Sequence, residues 1–232
     1  KKRGVPICLA NARLSDKSYR GYRRFGFLFR KHFSALRAVG APTKADIGCL
    51  CEIGCRDEVV EMTGNMKFDG ASSNPDHKLD VPDLLRRLGA VKDAPVLVGG
   101  STHDGEERLL AQMFPRLKEY CPGLMLVLVP RHFERARVVG EQLRALGQRF
   151  VFRSELTDES GSDCLVVDST GELMLFYEAA SVVFVGKSLT ARGGQNPIEP
   201  ATLGRAIVFG PNMQNFRAVV RSFLEEDAAT QV

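Results

Sequence analysis

A short segment with the sequence GGQNPIE contains the residues best suited to bind a ligand. Its glycine pair, Gly193 and Gly194, allows a backbone or a ligand to approach closely because neither residue has a Cβ atom. Asn196, Pro197 and Glu199 then fall at the N-cap, N1 and N3 positions of a predicted helix. The free N–H groups of such a helix start favour a phosphate, and a carboxylate one turn further on suits ribose hydroxyls. The alternative interpretation is a capped helix after a tight turn.

Polar residues also follow three other predicted strands. They are Ser101-Thr102-His103, Pro130-Arg131-His132 and Ser169-Thr170-Gly171-Glu172. Ligands of open parallel sheets bind at the carboxyl ends of the strands, so these loops are expected to lie around one site. Arg131 can pair with a phosphate through two parallel hydrogen bonds. The alternative is a surface arginine that caps a helix, and helix capping is likewise the alternative for Thr170 and Glu172.

The elements that must position these loops alternate along the carboxyl-terminal part of the chain. Short apolar strands are predicted near Val96–Gly99, Leu124–Val129, Phe150–Phe152, Cys164–Asp168, Val182–Val185 and Ala206–Phe209. Helices are predicted between them, near Glu106–Lys118, Phe133–Leu146, Gly171–Ala180, Ile198–Leu203 and Asn215–Glu225. This alternation predicts an α/β fold whose parallel sheet is covered by helices on both faces.

The amino-terminal part has fewer such elements. Helices are predicted over Lys17–Phe29 and Lys44–Ile53, and strands at Ile7–Ala10, Phe33–Ala41 and Val59–Thr63. Residues 70–80 are rich in Ser, Asn, Pro and Asp and poor in apolar residues, which predicts a linker. The sequence therefore predicts one domain over residues 1–69 and a second over residues 81–232.

Composition and charge restrict the kinds of function that this protein can have. Of the 232 residues, 44% are hydrophobic and 26% are charged, as in a soluble globular protein, and the longest apolar run has only the length of a strand. The net charge is +4, but residues 17–31 contain six Lys and Arg interleaved with five Tyr and Phe. This segment suits an anionic membrane surface, a phosphorylated lipid or a nucleic acid, and its alternative is a helix with a solvated basic face. No nucleic-acid fold signature accompanies it, so we expect no nucleic-acid partner.

Other site types lack their sequence signatures. Cys49, Cys51 and Cys55 cluster, but the second ligand pair of a zinc site is missing, so reduced thiols and no metal are expected. The sequence contains no GxGxxG after a strand, no GxxxxGK[ST] and no GxSxG, which disfavours dehydrogenases, NTPases and α/β-hydrolases. It also lacks a DxD pair for a metal-bound nucleotide.

Longer stretches resemble one family. GGQNPIEPA followed by GPNMQNF is similar to the donor-site signature of the 3-deoxy-D-manno-octulosonic acid (Kdo) transferases of lipopolysaccharide synthesis. Further stretches resemble the same family in the same order, namely LANARLSDKSYRGYRRFG, MTGNMKFD, STHDGEE, LVPRHFERA and GELMLFYEAASVVFVG. Together the matches extend over Leu9–Phe216, which makes them far more specific than any single motif.

The resemblance implies a glycosyltransferase B fold. A Rossmann-like parallel-sheet domain would bind the nucleotide donor, and part of a second Rossmann-like domain would bind the acceptor. The implied reaction moves Kdo, with inversion, from CMP-Kdo to a lipid A precursor at the cytoplasmic face of the inner membrane. The implied partners are CMP-Kdo, the lipid A precursor and the membrane surface, and no cofactor is expected.

The resemblance also implies roles for individual residues. Lys67 in GNMKFD matches a lysine near the reacting centre, where a cation would steady the departing phosphate or the carboxylate of Kdo; the alternative is a linker lysine paired with Asp69. The residues implied in donor binding are Pro130, Arg131, Thr170, Gly171, Glu172, Asn196, Pro197, Ile198 and Glu199. Those implied in further substrate contacts are Ser101, Thr102, His132, Gly193 and Gly194.

The sequence departs from the family pattern at several places. Gln195 stands where the family usually has histidine, and Thr170 where an apolar residue is common. The family's amino-terminal anchor and its glycine-rich loop with the glutamate base find no match, so we expect a part of a longer protein that is inactive by itself. Two alternatives remain open: a UDP-sugar glycosyltransferase or epimerase of the same fold, and a non-catalytic nucleotide-binding or membrane-surface module.

Overall fold

The computed structural model of the chain describes residues 5–64, 79–157 and 161–232. The chain divides into two compact units, Lys1–Ser72 and Ser73–Val232, and each has its own hydrophobic core. We call them the first unit and the second unit.

Two sequence predictions fall on undescribed residues. Lys67 lies outside the described part of the chain, and so does the predicted linker except for Leu79 and Asp80.

The first unit contains a small parallel sheet in the order β1-β2-β3. Its strands are β1 (Cys8–Leu9), β2 (Ala38–Ala41) and β3 (Val60–Met62), and its helices are α1 (Asp16–Arg24), α2 (Gly26–Phe33) and α3 (Lys44–Glu52). The core of this unit is small, with Val39, Leu50 and Ile53 among its buried residues.

The helix predicted over Lys17–Phe29 is in fact two helices, which meet at Phe25. This residue has φ −107° and ψ 31°, outside the helical region, and Gly26 after it has a weak helix propensity. The second helix extends to Phe33, whose ring packs edge-on against Tyr22 with the ring centroids 5.4 Å apart. The strand predicted from Phe33 therefore begins only with β2.

The second unit contains a seven-stranded sheet in the order β10-β9-β8-β4-β5-β7-β6, and every pairing is parallel. Its strands are β4 (Val96–Thr102), β5 (Met125–Pro130), β6 (Val151–Phe152), β7 (Cys164–Val166), β8 (Val182–Val185), β9 (Ala206–Phe209) and β10 (Thr230–Gln231). The predicted parallel α/β fold is thus confirmed, and the strands at 182–185 and 206–209 have the predicted bounds.

Helices cover this sheet. They are α4 (Val81–Leu88), α5 (Glu106–Tyr120), α6 (Ala136–Ala145), α7 (Leu173–Ala179), α8 (Ile198–Thr202) and α9 (Arg217–Glu225). The sequence analysis did not predict α4. Its start is nevertheless encoded locally, because Asp80 accepts a hydrogen bond from the backbone N–H of Asp83 at 2.9 Å and Pro82 occupies the first turn.

Alternating strand residues point to opposite faces of the sheet, and both faces are apolar. On one face Val98 and Val127 belong to a buried cluster that includes Leu84 of α4 and Phe176 of α7. On the other face, Leu126 and its neighbours pack with residues of α5 and α6. The sheet is therefore fixed between two helical layers, and the carboxyl ends of its parallel strands meet along one edge.

Candidate functional site

The loops that follow β8, β4, β5 and β7 lie side by side, because these strands are neighbours in the sheet. We call this edge the rim. Several rim residues have a left-handed backbone, with φ of 50° at Ser101, 57° at Lys187 and 82° at Gly171. Such conformations are unfavourable for residues with a side chain, and they cluster at functional sites.

A pocket of about 290 Å³ opens between the loops after β5 and β7. Seven of the predicted site residues line it, namely Ser101, Pro130, Arg131, His132, Thr170, Gly171 and Glu172. The prediction that strand-end loops converge is therefore fulfilled for three strands, β4, β5 and β7.

Arg131 is the exposed cation of this pocket. Its backbone N–H donates to the carbonyl of Thr102 at 3.0 Å, which fixes the loop between β5 and α6 against β4. Within the described residues its guanidinium makes no hydrogen bond or ion pair. A guanidinium held on an ordered loop without a protein partner is suited to an anionic ligand.

The carboxylate of Glu172, by contrast, is already hydrogen-bonded to other residues of the protein. It is only 14% exposed and accepts hydrogen bonds from Arg153, at 3.4 Å, and from the hydroxyl of Ser169. Its carboxylate therefore shapes the pocket wall. Thr170 and Gly171, just before it, are exposed and leave their backbone open to a ligand.

Thr102 lies beneath the rim. Its side chain is fully buried, and its hydroxyl donates to Glu107 at 2.9 Å. Glu107 is also buried and pairs with Arg135, with 2.8 Å between the carboxylate oxygen and the guanidinium nitrogen. The predicted substrate contact of Thr102 is thus corrected, because its side chain offers no surface to a ligand and supports the loop instead.

Glu106 ties two rim loops together, a role that the sequence analysis did not find. Its carboxylate is completely buried and accepts four backbone N–H groups. Oε2 accepts from His103 at 2.8 Å and from Lys187 at 2.7 Å, and Oε1 accepts from Ser188 at 2.8 Å and from Leu189 at 2.9 Å. The sequence placed Glu106 only in the first turn of a helix. The three consecutive backbone donors, which lie in the loop after β8, became visible only in the fold.

The glycine pair permits a close approach, as predicted. The groups that approach it are side chains of the protein itself. A Cβ atom on Gly193 would lie 2.8 Å from Asn215 Nδ2, and one on Gly194 would lie 2.4 Å from the sulfur of Met213. The Gly193 N–H donates to the side chain of Gln214 at 2.7 Å, and the Gly194 N–H donates to the carbonyl of Lys187 at 3.0 Å. Contact of either glycine with a ligand stays a prediction.

The predicted helix start after the glycine pair lies one residue further along the chain. Pro197 is the N-cap of α8, and the Asn196 side chain accepts from the N–H of Ile198 at 3.2 Å, as in an Asx-turn. Ile198 is buried, whereas Glu199 is partly exposed and accepts a hydrogen bond from the Asn196 amide at 3.0 Å. Burial, together with the nearby carboxylate of Glu199, raises the pKa of Tyr177 on α7. Glu199 therefore lies near α7, the helix that follows Gly171.

A second cluster of basic residues on the rim lies around His103. The imidazole lies 3.2 Å from the amide nitrogen of Gln195, and its ring centroid is 6.4 Å from that of His132. Burial lowers the pKa of His103, and the nearby positive charge of Lys187 lowers it further. The sequence analysis had placed His103 in one of the polar strand-end loops but had not singled out Lys187, although its position just after β8 was a usable signal.

Other predictions concern metals and membranes. Among the described residues, no three His, Cys, Asp or Glu side chains come together as metal ligands, and Cys55 is a buried free thiol. In the same ranges no helix has the length and apolar character needed to cross a bilayer. Phe25, Phe27 and Leu28, at the junction of α1 and α2, are 46%, 81% and 53% exposed.

Comparison with known proteins identifies relatives of this chain. Residues 1–70 match the family described as 3-deoxy-D-manno-octulosonic-acid transferase (kdotransferase). A curated 3-deoxy-D-manno-octulosonic acid transferase from Haemophilus influenzae is 33% identical over 99% of this chain, which spans 53% of that relative. The chain thus covers about half the length of the curated relatives it matches.

Solved structures agree with this likeness. The C-terminal CMP-Kdo binding domain of WaaA from Acinetobacter baumannii is 30% identical, with a TM-score of 0.56; the match covers 66% of this chain and 82% of that domain. A UDP-GlcNAc 2-epimerase from Neisseria meningitidis, bound to UDP-GlcNAc, is 13% identical, with a TM-score of 0.57 and coverage of 97% of this chain and 62% of that one. The second likeness concerns the fold alone. Together they support the predicted fold class of the glycosyltransferase B type.

Proposed function

Because the chain belongs to the Kdo transferase family, we propose that it binds CMP-Kdo for transfer of Kdo to a lipid A precursor in lipopolysaccharide synthesis. The observation that carries this proposal is the pocket between the loops after β5 and β7. The guanidinium of Arg131, which has no partner in the part of the chain that the structure describes, lies at its wall. The WaaA domain named above, which is described as a CMP-Kdo binding domain, is the relative that suggests the donor.

In this proposal four rim residues and Glu199 have physical tasks. Arg131 binds the phosphate through charge-assisted hydrogen bonds, which strengthen as negative charge develops on the departing CMP. The exposed backbone of Thr170 and Gly171 meets the nucleoside, and the carboxylate of Glu199 accepts hydrogen bonds from the ribose hydroxyls. Glu172 holds the pocket wall through Arg153.

Transfer also requires a base that removes a proton from the acceptor hydroxyl. None of the residues that the family resemblance carries over to this chain supplies that base. We therefore assign donor binding and charge stabilisation to this chain, with Lys67 as a further cation of the reacting centre. Donor affinity, rather than turnover, is the property to measure.

The first unit suggests a second part of the function. We propose that the α1–α2 region lies on the anionic surface of the inner membrane, on its cytoplasmic face, where the lipid acceptor resides. Exposed aromatic residues such as Phe27 alternate here with arginines and lysines, and this combination favours the interface of an anionic bilayer. Arg24 lies over the Phe25 ring at 5.7 Å, so the two kinds of side chain share one surface.

Calorimetric titration of the chain with CMP and with UDP tests the donor proposal. We expect CMP to bind more tightly than UDP, and Arg131→Ala to weaken CMP binding about 10- to 100-fold, since a charge-assisted hydrogen bond contributes about 1.5–3 kcal/mol. Glu199→Ala should also weaken it. Arg116→Ala is the matched control, because Arg116 is an exposed arginine within α5.

Two results would contradict the proposal. Equal CMP affinity of the wild type, Arg131→Ala and Glu199→Ala would exclude this site. Tighter binding of UDP than of CMP would favour a UDP-sugar enzyme of the same fold.

A further inference from the structure

Lys187 is a cation of the rim for which the proposed function has no task. It follows β8 directly after Gly186, and its backbone has φ 57°. For a lysine this left-handed conformation is unfavourable, so the surrounding structure must impose it. The N–H of Lys187 donates to the buried carboxylate of Glu106, and its carbonyl accepts from the N–H of Gly194. The backbone of Lys187 is therefore held from both sides.

The Lys187 side chain lies beside the glycine turn. Its Cε lies 3.7 Å from the position that a Cβ atom on Gly193 would take, and its charge acts on the imidazole of His103. Lys187 is only partly exposed, yet its ammonium makes no ion pair or hydrogen bond with any described residue. A partly desolvated cation without a counter-charge is suited to an anionic group of a ligand.

His103 supplies a neutral donor beside this cation. Burial and the charges of Lys187, Arg135 and His132 lower its pKa, although Glu106 opposes them, so the ring is neutral near pH 7. If the Gln195 amide donates to Nε2, the tautomer of His103 has its proton on Nδ1. An ammonium and an imidazole N–H on neighbouring loops suit a carboxylate, which can accept from both.

The sheet order separates this pair from the nucleotide pocket. Lys187 follows β8 and His103 follows β4, whereas Arg131 follows β5 and Gly171 follows β7. The His103 and His132 rings, 6.4 Å apart, connect the two ends of the rim. Adjacent strands are about 4.8 Å apart, so the rim is long enough for an extended donor.

We propose that Lys187, together with His103, binds the carboxylate of the donor's sugar and so selects an acidic sugar over a neutral one. This inference rests on the proposed function. CMP-Kdo has two anionic groups, the phosphate and the sugar carboxylate, and the rim carries Arg131 and Lys187 on separate loops, where neither side chain has a partner among the described residues. With the phosphate on Arg131, Lys187 is the partly buried cation of the rim that we assign to the carboxylate. Glu106 acts as a positioning residue, since it holds the backbone of both carboxylate-binding residues.

The test compares the affinities of two probes, CMP and CMP-Kdo, for the wild type and for Lys187→Gln. We expect Lys187→Gln to weaken CMP-Kdo binding about 10- to 100-fold, the effect of one charge-assisted hydrogen bond. CMP affinity should change by less than about threefold, because a screened charge at a distance has little effect. Lys187→Gly, which favours positive φ and so keeps the backbone, should behave in the same way.

Lys92→Gln is the matched control, because Lys92 is exposed and precedes the amino end of β4, at the opposite edge of the sheet. It removes the same charge and should leave both affinities unchanged. Equal losses of CMP and CMP-Kdo affinity in Lys187→Gln would overturn the inference and assign Lys187 to the phosphate. Unchanged affinities for both probes would also overturn it. If the wild type binds no CMP, the result would contradict the proposed function and also this inference, which rests on it.

Discussion

The two units use their charged residues in opposite ways. In the second unit, Glu106 and Glu107 are completely buried and hold rim loops through N–H groups, a hydroxyl and a guanidinium. In the first unit, the basic residues of α1 and α2 stand beside exposed aromatic rings, and Phe27 is 81% exposed. The difference indicates that buried carboxylates hold the rim loops of the second unit in a fixed geometry. The first unit instead has a surface on which apolar side chains are exposed to solvent.

The largest effect is expected where a buried carboxylate is removed. Glu106→Ala leaves four backbone N–H groups without their acceptor, that of Ser188 buried and the other three part-buried, and a buried unsatisfied group costs about 1–3 kcal/mol. We expect the free energy of unfolding of the second unit to fall by at least about 3 kcal/mol in urea titrations.

The control for this substitution is Glu119→Ala, since Glu119 is an exposed residue near the end of α5. It should change the unfolding free energy by less than about 0.5 kcal/mol. Similar values for the two variants would mean that Glu106 does not hold the rim.

A pair of glycine substitutions probes the packing of each unit. A Cβ atom on Gly100 in β4 would lie 2.0 Å from the hydroxyl of the buried Tyr177, so Gly100→Ala should destabilise the second unit by about 1–3 kcal/mol. Gly21 in α1 has open space, and Gly21→Ala should stabilise the first unit by about 0.5–1 kcal/mol through helix propensity. Chemical denaturation of both variants measures this contrast, and changes of the same sign would contradict it.

Vesicle binding tests the surface of the first unit. Phe27→Ala should weaken sedimentation with vesicles of anionic phospholipid by roughly tenfold, because burying a phenylalanine side chain contributes about 1.5–3 kcal/mol. Met62→Ala is the control, since Met62 is also exposed, at 58%, but belongs to β3. Equal binding by the wild type and Phe27→Ala would remove the argument for a membrane surface at α2.

The smallest expected effect is the pH dependence of the free energy of unfolding. The pKa of His103 lies below its ordinary value of 6.5 in the folded state, because of burial and the charges of Lys187, Arg135 and His132, with Glu106 opposing. Protonation is therefore easier in the unfolded chain, so the free energy of unfolding should decline as the pH falls below 6.5 towards the folded pKa.

Thermal unfolding between pH 7.5 and pH 5 checks this, with the variant His103→Gln expected to have a flatter dependence. His32→Gln is the control, since His32 is an exposed residue on α2. A slope that is identical in the wild type and His103→Gln would show that His103 does not contribute to it.

Local pattern predicted much of the second unit. Continuous apolar runs such as Val182–Val185 are strands that are buried on both faces, and alternation with helices requires parallel pairing. Patterns failed where a local signal was ambiguous. The run before Phe33 mixes aromatic and basic residues that fit a strand or a helix, and packing of Phe33 on Tyr22 favoured the helix.

Residue types and spacing alone determined the parallel α/β class and the strand ends that carry polar loops. These properties depend on short-range periodicity, which a sequence displays directly. Only the tertiary structure decided that Glu106 binds the backbone at Lys187, that the glycine pair packs on Met213, and that Thr102 is buried. Each of these contacts joins residues distant in sequence, and their partners are chosen by strand order, which no local pattern encodes.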